Sequence, residues 1–145
     1  YVTLTMVISK DPARGIRNVG MYRVQQLGKR AVAMHWQRHK TGAEHFRQMA
    51  ERGETMPVCI VVGADPASMY AASAPLPPGI DEFIFAGFLR RAPVKLTKAV
   101  TCDLEVPWDA ELVIEGYIDP AEELVVEGPF GDHTGFYSEA DLYPQ

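Results

Sequence analysis

Short apolar runs separated by polar turns dominate the first third of the chain. Residues 2–9 alternate apolar with small or polar side chains, a pattern that predicts a β-strand. The segments NVGMYRVQQLG (18–28) and AVAMHW (31–36) predict two more strands, joined by a turn as a β-hairpin. The run MPVCIVVGA (56–64) is short and continuously apolar, which predicts a strand buried on both faces.

Three segments carry helical patterns. Residues 39–54 place their small and apolar side chains on one face of a helix, and Gly53 predicts its end. Residues 65–73 begin with Asp-Pro, which suits the N-cap and first position of a helix. Residues 80–90 predict a third, short helix with acids near its start.

The rest of the chain predicts mainly strands, at 93–99, 104–107, 111–119 and 123–128. Strict alternation of strands and helices is missing, so a doubly wound parallel sheet is disfavoured. No internal repeat or low-complexity linker divides the chain. We therefore predict a single domain over 1–145 of the α+β class, mainly β, in which a barrel-like sheet carries a few short outer helices.

Composition narrows the function classes. The chain has 145 residues and is 47% hydrophobic, enough for one ordinary core. Its net charge is −5 with no basic block, so nucleic acid is not an expected partner. No apolar run reaches the ~20 residues of a membrane-spanning helix, and the N-terminus lacks a signal-peptide pattern. We therefore expect a cytoplasmic protein.

The two cysteines and the chain start add two expectations. Cys59 and Cys102 have no partner at metal-ligand spacing, so we expect two buried thiols in a reducing compartment. The chain opens directly in a strand pattern, without an initiator Met. We therefore expect it to be part of a longer protein.

The segment EGPFGDHTGFY (127–137) is the first candidate for chemistry. Its glycines suit a loop, its aromatics suit a strand, and the combination suggests a loop that presents a carboxyl group to something nearby. Glu127 and Asp132 bracket the turn GPFG, which could bring their carboxyl groups together. Neighbouring acids have pKa values that are pushed apart, so one of them could hold a proton near neutral pH.

The predicted hairpin holds the second set of candidates. Asn18 and Arg23 face opposite sides of a regular strand, although a bulge at Gly20 could bring both to one site. His35 and Trp36 lie across the hairpin from them. Arg23 could equally be a solvated strand residue, and His35 a partly buried structural histidine.

Other acids have simpler interpretations. Glu82 follows Asp81 at a helix start, where acids are favoured by the helix dipole. Glu111 and Glu115 alternate with apolar residues and could mark the solvated face of a strand. The residues alone thus support only a β-rich domain with a candidate acid pair.

Five long motifs follow one another along the chain. They are DPARGIRNVGMYRVQ (11–25), MHWQRHK (34–40), GADPASMYAASAPLPPGIDEFIFAGFLR (63–90), DLEVPWDAELVIEGYI (103–118) and EGPFGDHTGFY. Taken together, these motifs resemble the central domain of the UbiD family of decarboxylases. The resemblance spans nearly the whole chain and implies a split β-barrel of the flavin-binding type. It also implies that 1–145 is the central cofactor-binding barrel of a longer chain whose flanking domains are absent.

The resemblance implies an activity with its cofactors and partners. The activity is non-oxidative, reversible decarboxylation of an aromatic or α,β-unsaturated acid, as in ubiquinone or menaquinone biosynthesis or phenolic acid metabolism. The implied cofactors are prenylated FMN, Mn²⁺ or another divalent metal, and K⁺. The implied partners are a small aromatic acid substrate, further copies of the chain in a homo-oligomer and a flavin prenyltransferase. A polyprenylated substrate would add peripheral membrane contact.

The resemblance also assigns residues by motif. Three of them match metal ligands, namely Asn18, His35 and Glu82. The residues that match the cofactor-binding segments are Asn18, Met21, Tyr22, Arg23, His35, Trp36, Gln37, Lys40 and Glu82.

The implied catalytic network is Arg23, Glu127 and Asp132. In it Arg23 orients the substrate carboxylate and keeps Glu127 charged, and Asp132 protonates carbon after CO₂ leaves. Two alternatives stay open: a flavin- or phosphate-binding module without decarboxylation, and a cofactor-free structural domain.

Overall fold

A computed structural model describes all residues, 1–145. Eleven strands and three helices follow one another along the chain. The helices are α1 (Thr41–Arg52), α2 (Pro66–Ala71) and α3 (Glu82–Arg90). The strands are β1 (Val2–Lys10), β2 (Arg17–Gln26), β3 (Val32–His35), β4 (Met56–Val62), β5 (Leu96–Lys98), β6 (Glu105–Pro107), β7 (Leu112–Ile118), β8 (Val125–Glu127), β9 (Phe130–Gly131), β10 (Tyr137–Ser138) and β11 (Asp141–Tyr143).

A five-stranded antiparallel sheet forms the centre, in the order β3-β2-β1-β4-β7. It curls into a half-barrel, and three two-stranded ladders (β5-β6, β8-β11 and β9-β10) complete the fold. The α+β, mainly β prediction is confirmed, as are the β2–β3 hairpin and all three helices. Strands β9 to β11 were not predicted, because two or three residues are too few to show a period of two.

Apolar side chains cover both faces of the sheet. On β1, Val7 packs into one cluster with Tyr22 and Met34, beneath α1. Its neighbours Met6 and Ile8 point the other way, into a second cluster that includes Phe83 from α3. Burial on both faces explains the continuous apolar run of β4.

Local capping sets the helix limits that the sequence predicts. Gly53 ends α1 in the left-handed conformation at φ 66°, where a side chain would be strained. Asp65 accepts a hydrogen bond from the Ala67 N–H at the start of α2. Asp81 does the same for Phe83 at the start of α3. None of these helices is long and apolar enough to cross a membrane.

Strand β2 does not bulge at Gly20. Its register with β1 is regular from Arg17 to Tyr22, and the irregularity lies on β1 between Val2 and Thr5. Gly20 instead makes room for Tyr22, because an added Cβ would lie 2.3 Å from the ring of Tyr22. The bulge prediction is therefore corrected: β2 keeps its alternation, which puts Asn18 and Arg23 on opposite faces of the sheet.

Candidate active site

A buried ion pair joins β2 to the end of β8. The side chain of Glu127 is fully buried, with 0% of its surface exposed. Arg23 donates from Nε to Oε1 and from Nη2 to Oε2 of Glu127, both at 2.6 Å. This two-bond geometry matches the planar guanidinium to the carboxylate, the arrangement that gives the strongest ion pairs in proteins.

His35 extends the pair. It lies directly opposite Arg23 in the β2–β3 register. Its Nδ1 lies 2.9 Å from Glu127 Oε2 and 2.9 Å from Arg23 Nη2. The Tyr143 ring packs against the imidazole, with 4.5 Å between ring centres. His35 is therefore held in one orientation by polar contacts and by an aromatic neighbour.

The charges in this network are stabilised by one another. Burial by itself raises the pKa of Glu127, but hydrogen bonds from Arg23 and His35 and their charges outweigh it, so the pKa lies below its usual value. The hydrogen bond to Glu127 raises the pKa of Arg23. At neutral pH the pair is ionised, so Glu127 is an acceptor and holds no proton to donate.

The C-terminal segment positions Glu127. Strand β11 pairs with β8, and the Pro144 carbonyl accepts a hydrogen bond from the Met34 N–H on β3. On the other side, the Gly128 N–H donates to the Gln25 side-chain oxygen at 2.9 Å. The segment that carries Glu127 is thereby fixed to the β2–β3 hairpin that carries Arg23.

Aromatic rings cover the guanidinium, and motif reasoning did not anticipate them. The guanidinium carbon of Arg23 lies 4.3 Å from the centre of the Phe130 ring and 5.7 Å from that of Tyr1. The Phe130 and Tyr1 rings meet edge to face. Phe130 lies within the GPFG turn, which was the available signal, whereas Tyr1 showed none.

Asp132 is placed differently from its expected role. It is exposed in the β9–β10 loop, and its Oδ1 accepts from the Thr134 N–H at 2.8 Å and from the Thr134 hydroxyl. These hydrogen bonds lower the pKa of Asp132. The structure records no hydrogen bond from Asp132 to Arg23 or Glu127. The turn leaves Glu127 fully buried and Asp132 exposed, and the expected acid pair stays a prediction.

Glu82 and Asn18 form a second polar group. Glu82 begins α3, and its Oε2 accepts from the Val19 N–H at 2.8 Å, beside Asn18 on β2. Burial raises the pKa of Glu82. Glu82 is half-buried, whereas Asn18 is buried and its Nδ2 has no hydrogen-bond partner. A half-buried carboxylate that bonds the residue next to an incompletely bonded amide forms a polar group that a ligand could complete.

The structure does not bring His35 to that pair. Its strand partner is Arg23, and five residues of β2, about 16 Å, separate Arg23 from Asn18. Donors to one hard cation lie ~2–2.6 Å from it. The described chain also has no cluster of three or more His, Cys, Asp and Glu side chains that could hold a metal. Metal binding stays a prediction for Asn18 and Glu82, whereas His35 contacts the Arg23–Glu127 pair.

The other residues expected at a cofactor lie in three different places. Tyr22 and Trp36 are buried in the core beneath α1, with ring centres 6.0 Å apart. Burial raises the pKa of the Tyr22 hydroxyl, which accepts from the Gly42 N–H. Met21 is half-buried against the opposite core. Gln37 and Lys40 lie exposed at the turn before α1.

Comparison with known families identifies the class of protein. The family model described as "UbiD: 3-octaprenyl-4-hydroxybenzoate carboxy-lyase Rift-related domain" matches residues 1–145. The chain therefore belongs to the UbiD family, whose members include decarboxylases with bound flavin.

Individual relatives agree with this assignment. The UbiD-class enzyme HmfF from Pelotomaculum thermopropionicum, solved in complex with FMN, is 34% identical with a TM-score of 0.93, over 99% of this chain and 32% of that chain. An evolved dimeric form of HmfF contains prenylated FMN. Vanillic acid decarboxylase from Sedimentibacter hydroxybenzoicus, in its closed form, is 30% identical with a TM-score of 0.94, over 99% of this chain and 31% of that chain.

A protein of Aquifex aeolicus, described only as uncharacterised, is 54% identical over 145 residues. The match covers 100% of this chain and 30% of that protein, so this chain spans about a third of the length of its relatives. The structural match to HmfF confirms the predicted fold, a split barrel of the flavin-binding type.

Proposed function

We propose that this domain belongs to a decarboxylase that uses prenylated FMN to remove CO₂, reversibly and without net oxidation, from an aromatic or α,β-unsaturated acid. The observation that carries the proposal is the buried, aromatic-covered Arg23–Glu127 pair. Flavin-bound relatives of the same fold support the cofactor. Substrates of ubiquinone or menaquinone biosynthesis, or of phenolic acid metabolism, fit this class.

Arg23 would bind the substrate carboxylate. Its bonds to Glu127 and His35 use Nε and Nη2, so Nη1 keeps its N–H groups for another acceptor. Glu127 holds the guanidinium in one plane, and that plane sets the direction from which a carboxylate can approach. The rings of Phe130 and Tyr1 keep water from the guanidinium and favour a flat, apolar substrate body.

Proton delivery would fall to Asp132, because Glu127 is ionised and fully bonded. In the present arrangement Thr134 favours the charged form of Asp132. We propose that substrate binding replaces the Thr134 contacts, which would let the pKa of Asp132 rise toward that of a useful acid. Asp132 would then donate a proton to the substrate carbon that CO₂ has left.

The metal would be held beside Asn18, near the start of β2, and it would help to bind the cofactor phosphate. When bound, prenylated FMN supplies an electron sink for the charge that develops as CO₂ leaves. Asn18 and Glu82 offer oxygen donors of the kind that Mn²⁺ and other hard cations accept, and the desolvated carboxylate of Glu82 would gain from a nearby cation. K⁺ would bind in the same region, as the family resemblance implies. His35 does not fit this donor set.

The proposed activity implies two kinds of partner protein. A flavin prenyltransferase would supply the cofactor, and relatives that are dimeric or composed of several chains support a homo-oligomer. A polyprenylated substrate would bring the protein to a membrane surface.

The test uses the full-length protein, co-expressed with a flavin prenyltransferase and assayed for CO₂ release from a panel of aromatic and unsaturated acids. Arg23→Lys keeps the charge but loses the two-bond contact with Glu127. We expect kcat/KM to fall at least ~10²-fold. Arg38→Lys, at an exposed turn, is the matched control and should behave as the parent.

Three outcomes would count against the proposal. Bound flavin without CO₂ release from any acid would indicate a binding module. A colourless protein, which holds no flavin, would indicate a structural domain. Arg23→Lys activity within about threefold of the parent would remove Arg23 from the proposed site.

A further inference from the structure

The two cysteines, distant along the chain, meet in the fold. Cys59 lies in β4 and is fully buried, whereas Cys102 is half-buried in the loop between β5 and β6. Their Sγ atoms are 3.7 Å apart. Spacing along the sequence gave no sign of this contact, because the β5–β6 hairpin has to fold over the central sheet to create it.

The loop that carries Cys102 is anchored next to Cys59. Glu115 on β7 is the direct strand partner of Cys59. Its carboxylate accepts hydrogen bonds from the Val100 N–H at 2.8 Å and from the Thr101 N–H and hydroxyl at 2.6 Å. Tyr117, two residues along β7, donates its hydroxyl to the Thr101 carbonyl at 2.7 Å. Glu115 is thus a positioning residue that holds Cys102 over Cys59. Its role goes beyond the solvated strand position that the sequence suggested.

We propose that Cys59 and Cys102 form a reversible intramolecular disulfide when the protein meets a low-molecular-weight disulfide such as glutathione disulfide. An S–S bond is about 2.05 Å long, so the sulfur atoms must approach by about 1.7 Å. Cys59 is fixed in the middle of the sheet, and the movement therefore belongs to the Cys102 loop.

The reaction proceeds by two exchanges. The more accessible Cys102, as a thiolate, attacks one sulfur of the oxidant, forms a mixed disulfide and releases one glutathione thiolate. Cys59 then loses its proton to solvent base and attacks Cys102 Sγ, which releases the second glutathione. Two protein thiols are oxidised and one glutathione disulfide is reduced to two thiols. Burial raises the pKa of the Cys59 thiol, so the second exchange should be the slower one and should accelerate with rising pH.

The bond would fasten the β5–β6 hairpin to the central sheet. Strand β6 also contacts β2 through the Arg17–Glu105 ion pair, and Arg17 pairs with Asp81 at the start of α3. The disulfide would therefore stabilise the side of the barrel on which Glu82 lies. It restricts the unfolded chain over the segment from Cys59 to Cys102, the usual source of disulfide stabilisation.

The experiment equilibrates the full chain with defined ratios of reduced and oxidised glutathione, followed by acid quenching, alkylation in denaturant and intact-mass measurement. We expect a species with no alkyl group on Cys59 or Cys102, two hydrogen atoms lighter than the same chain reduced and not alkylated. We also expect its Tm to rise by about 5 °C or more and to return on addition of dithiothreitol. Cys102→Ser and Cys59→Ala should each fail to give this species. Both variants should keep the circular-dichroism spectrum of the reduced parent, which shows that they fold.

A matched pair of variants tests the loop anchor. Glu115→Gln should raise the oxidant ratio needed for half oxidation at least about threefold, because the Val100 and Thr101 contacts weaken. Glu111→Gln, just before β7 and with its side chain beside Gly63, should leave that ratio unchanged. If oxidation stops at a glutathione adduct on Cys102, or if both thiols stay free, the disulfide proposal is overturned. An unchanged ratio for Glu115→Gln would overturn the positioning role.

Discussion

Arg23 and Glu127 form the ion pair on which the proposed site depends, and neither charge is well solvated. A buried pair of this kind contributes little net stability compared with apolar residues, yet removing one partner leaves the other charge uncompensated. The pair is therefore expensive to break, and it fixes the orientation of the guanidinium. We infer that its main role is to position Arg23.

Glu127→Gln tests this at the level of one residue. The substitution keeps the shape but removes the charge that Arg23 and His35 face, so we expect the free energy of unfolding to fall by roughly 3 kcal/mol at pH 7. Urea unfolding of parent and variant measures it. The control is Glu139→Gln at an exposed position, which should leave the free energy of unfolding unchanged.

The same variant predicts a pH dependence. The pKa of Glu127 is lower in the folded state than in the unfolded chain, so its stabilising contribution is fully present above the unfolded value, about 4.3. The contribution is lost as pH falls below that value and through the folded pKa. The stability gap between parent and Glu127→Gln should thus narrow only in acid. A gap that stays constant from pH 7 to pH 3 would show that packing, not charge, is lost.

Sequence reasoning reached part of this site. The resemblance placed Arg23 with Glu127, which the structure joins, although 103 residues intervene along the chain. The sequence did not show that Thr134 would donate a hydrogen bond to the Asp132 carboxylate within the loop. Nor did the motif reveal that His35 faces the Arg23 side, because that depends on the β2–β3 register.

At the scale of elements, β2 carries residues of both candidate regions on opposite faces. Arg23 faces one side of the sheet, and Asn18 faces the other with Tyr22 between them in sequence. Regular alternation along β2 therefore decides which side chains lie with Arg23 and which lie with Asn18. Gly20 contributes to that regularity by leaving space for the Tyr22 ring.

Gly20→Ala should disturb this arrangement. The new methyl group would overlap the buried Tyr22 ring, so the ring must move and its contact with the Gly42 N–H should be lost. Overpacking of this kind costs about 1–3 kcal/mol, measured as a lower free energy of unfolding. Gly116→Ala on β7, where a Cβ would meet nothing within 4 Å, is the matched control. If both variants were equally stable, the space beside Tyr22 would not be what requires glycine at position 20.

The elements that could be predicted were those with a long, consistent pattern. Strands β1, β2 and β4 and helix α1 each have enough residues to show their period or their caps. Strands β9 to β11 have two or three residues each and exist because they pair with one another or with β8. Their formation depends on tertiary contacts, which a local pattern does not show.

At the scale of the whole molecule, the chain is about a third of the length of its relatives, so cofactor retention is a property to test in the full-length protein. The Asn18 side of β2 is the part of this domain where the proposal places the metal. Glu82 contributes there in two ways, since it bonds the Val19 N–H and carries a partly desolvated charge. These two roles can be separated by substitution.

Glu82→Gln keeps an oxygen that can accept the Val19 N–H but removes the charge that would attract a cation. We expect an apo protein at least as stable as the parent, because burial already disfavours the charged form of Glu82. We also expect loss of the rise in Tm that Mn²⁺ produces in the parent, and flavin content reduced at least about tenfold after purification with Mn²⁺. Glu51→Gln, exposed on α1, is the control and should match the parent in both measurements. Equal flavin content and an equal Mn²⁺-dependent rise in Tm in Glu82→Gln and parent would contradict the assignment, because a carboxylate ligand cannot be replaced by an amide without weakening a hard-cation site.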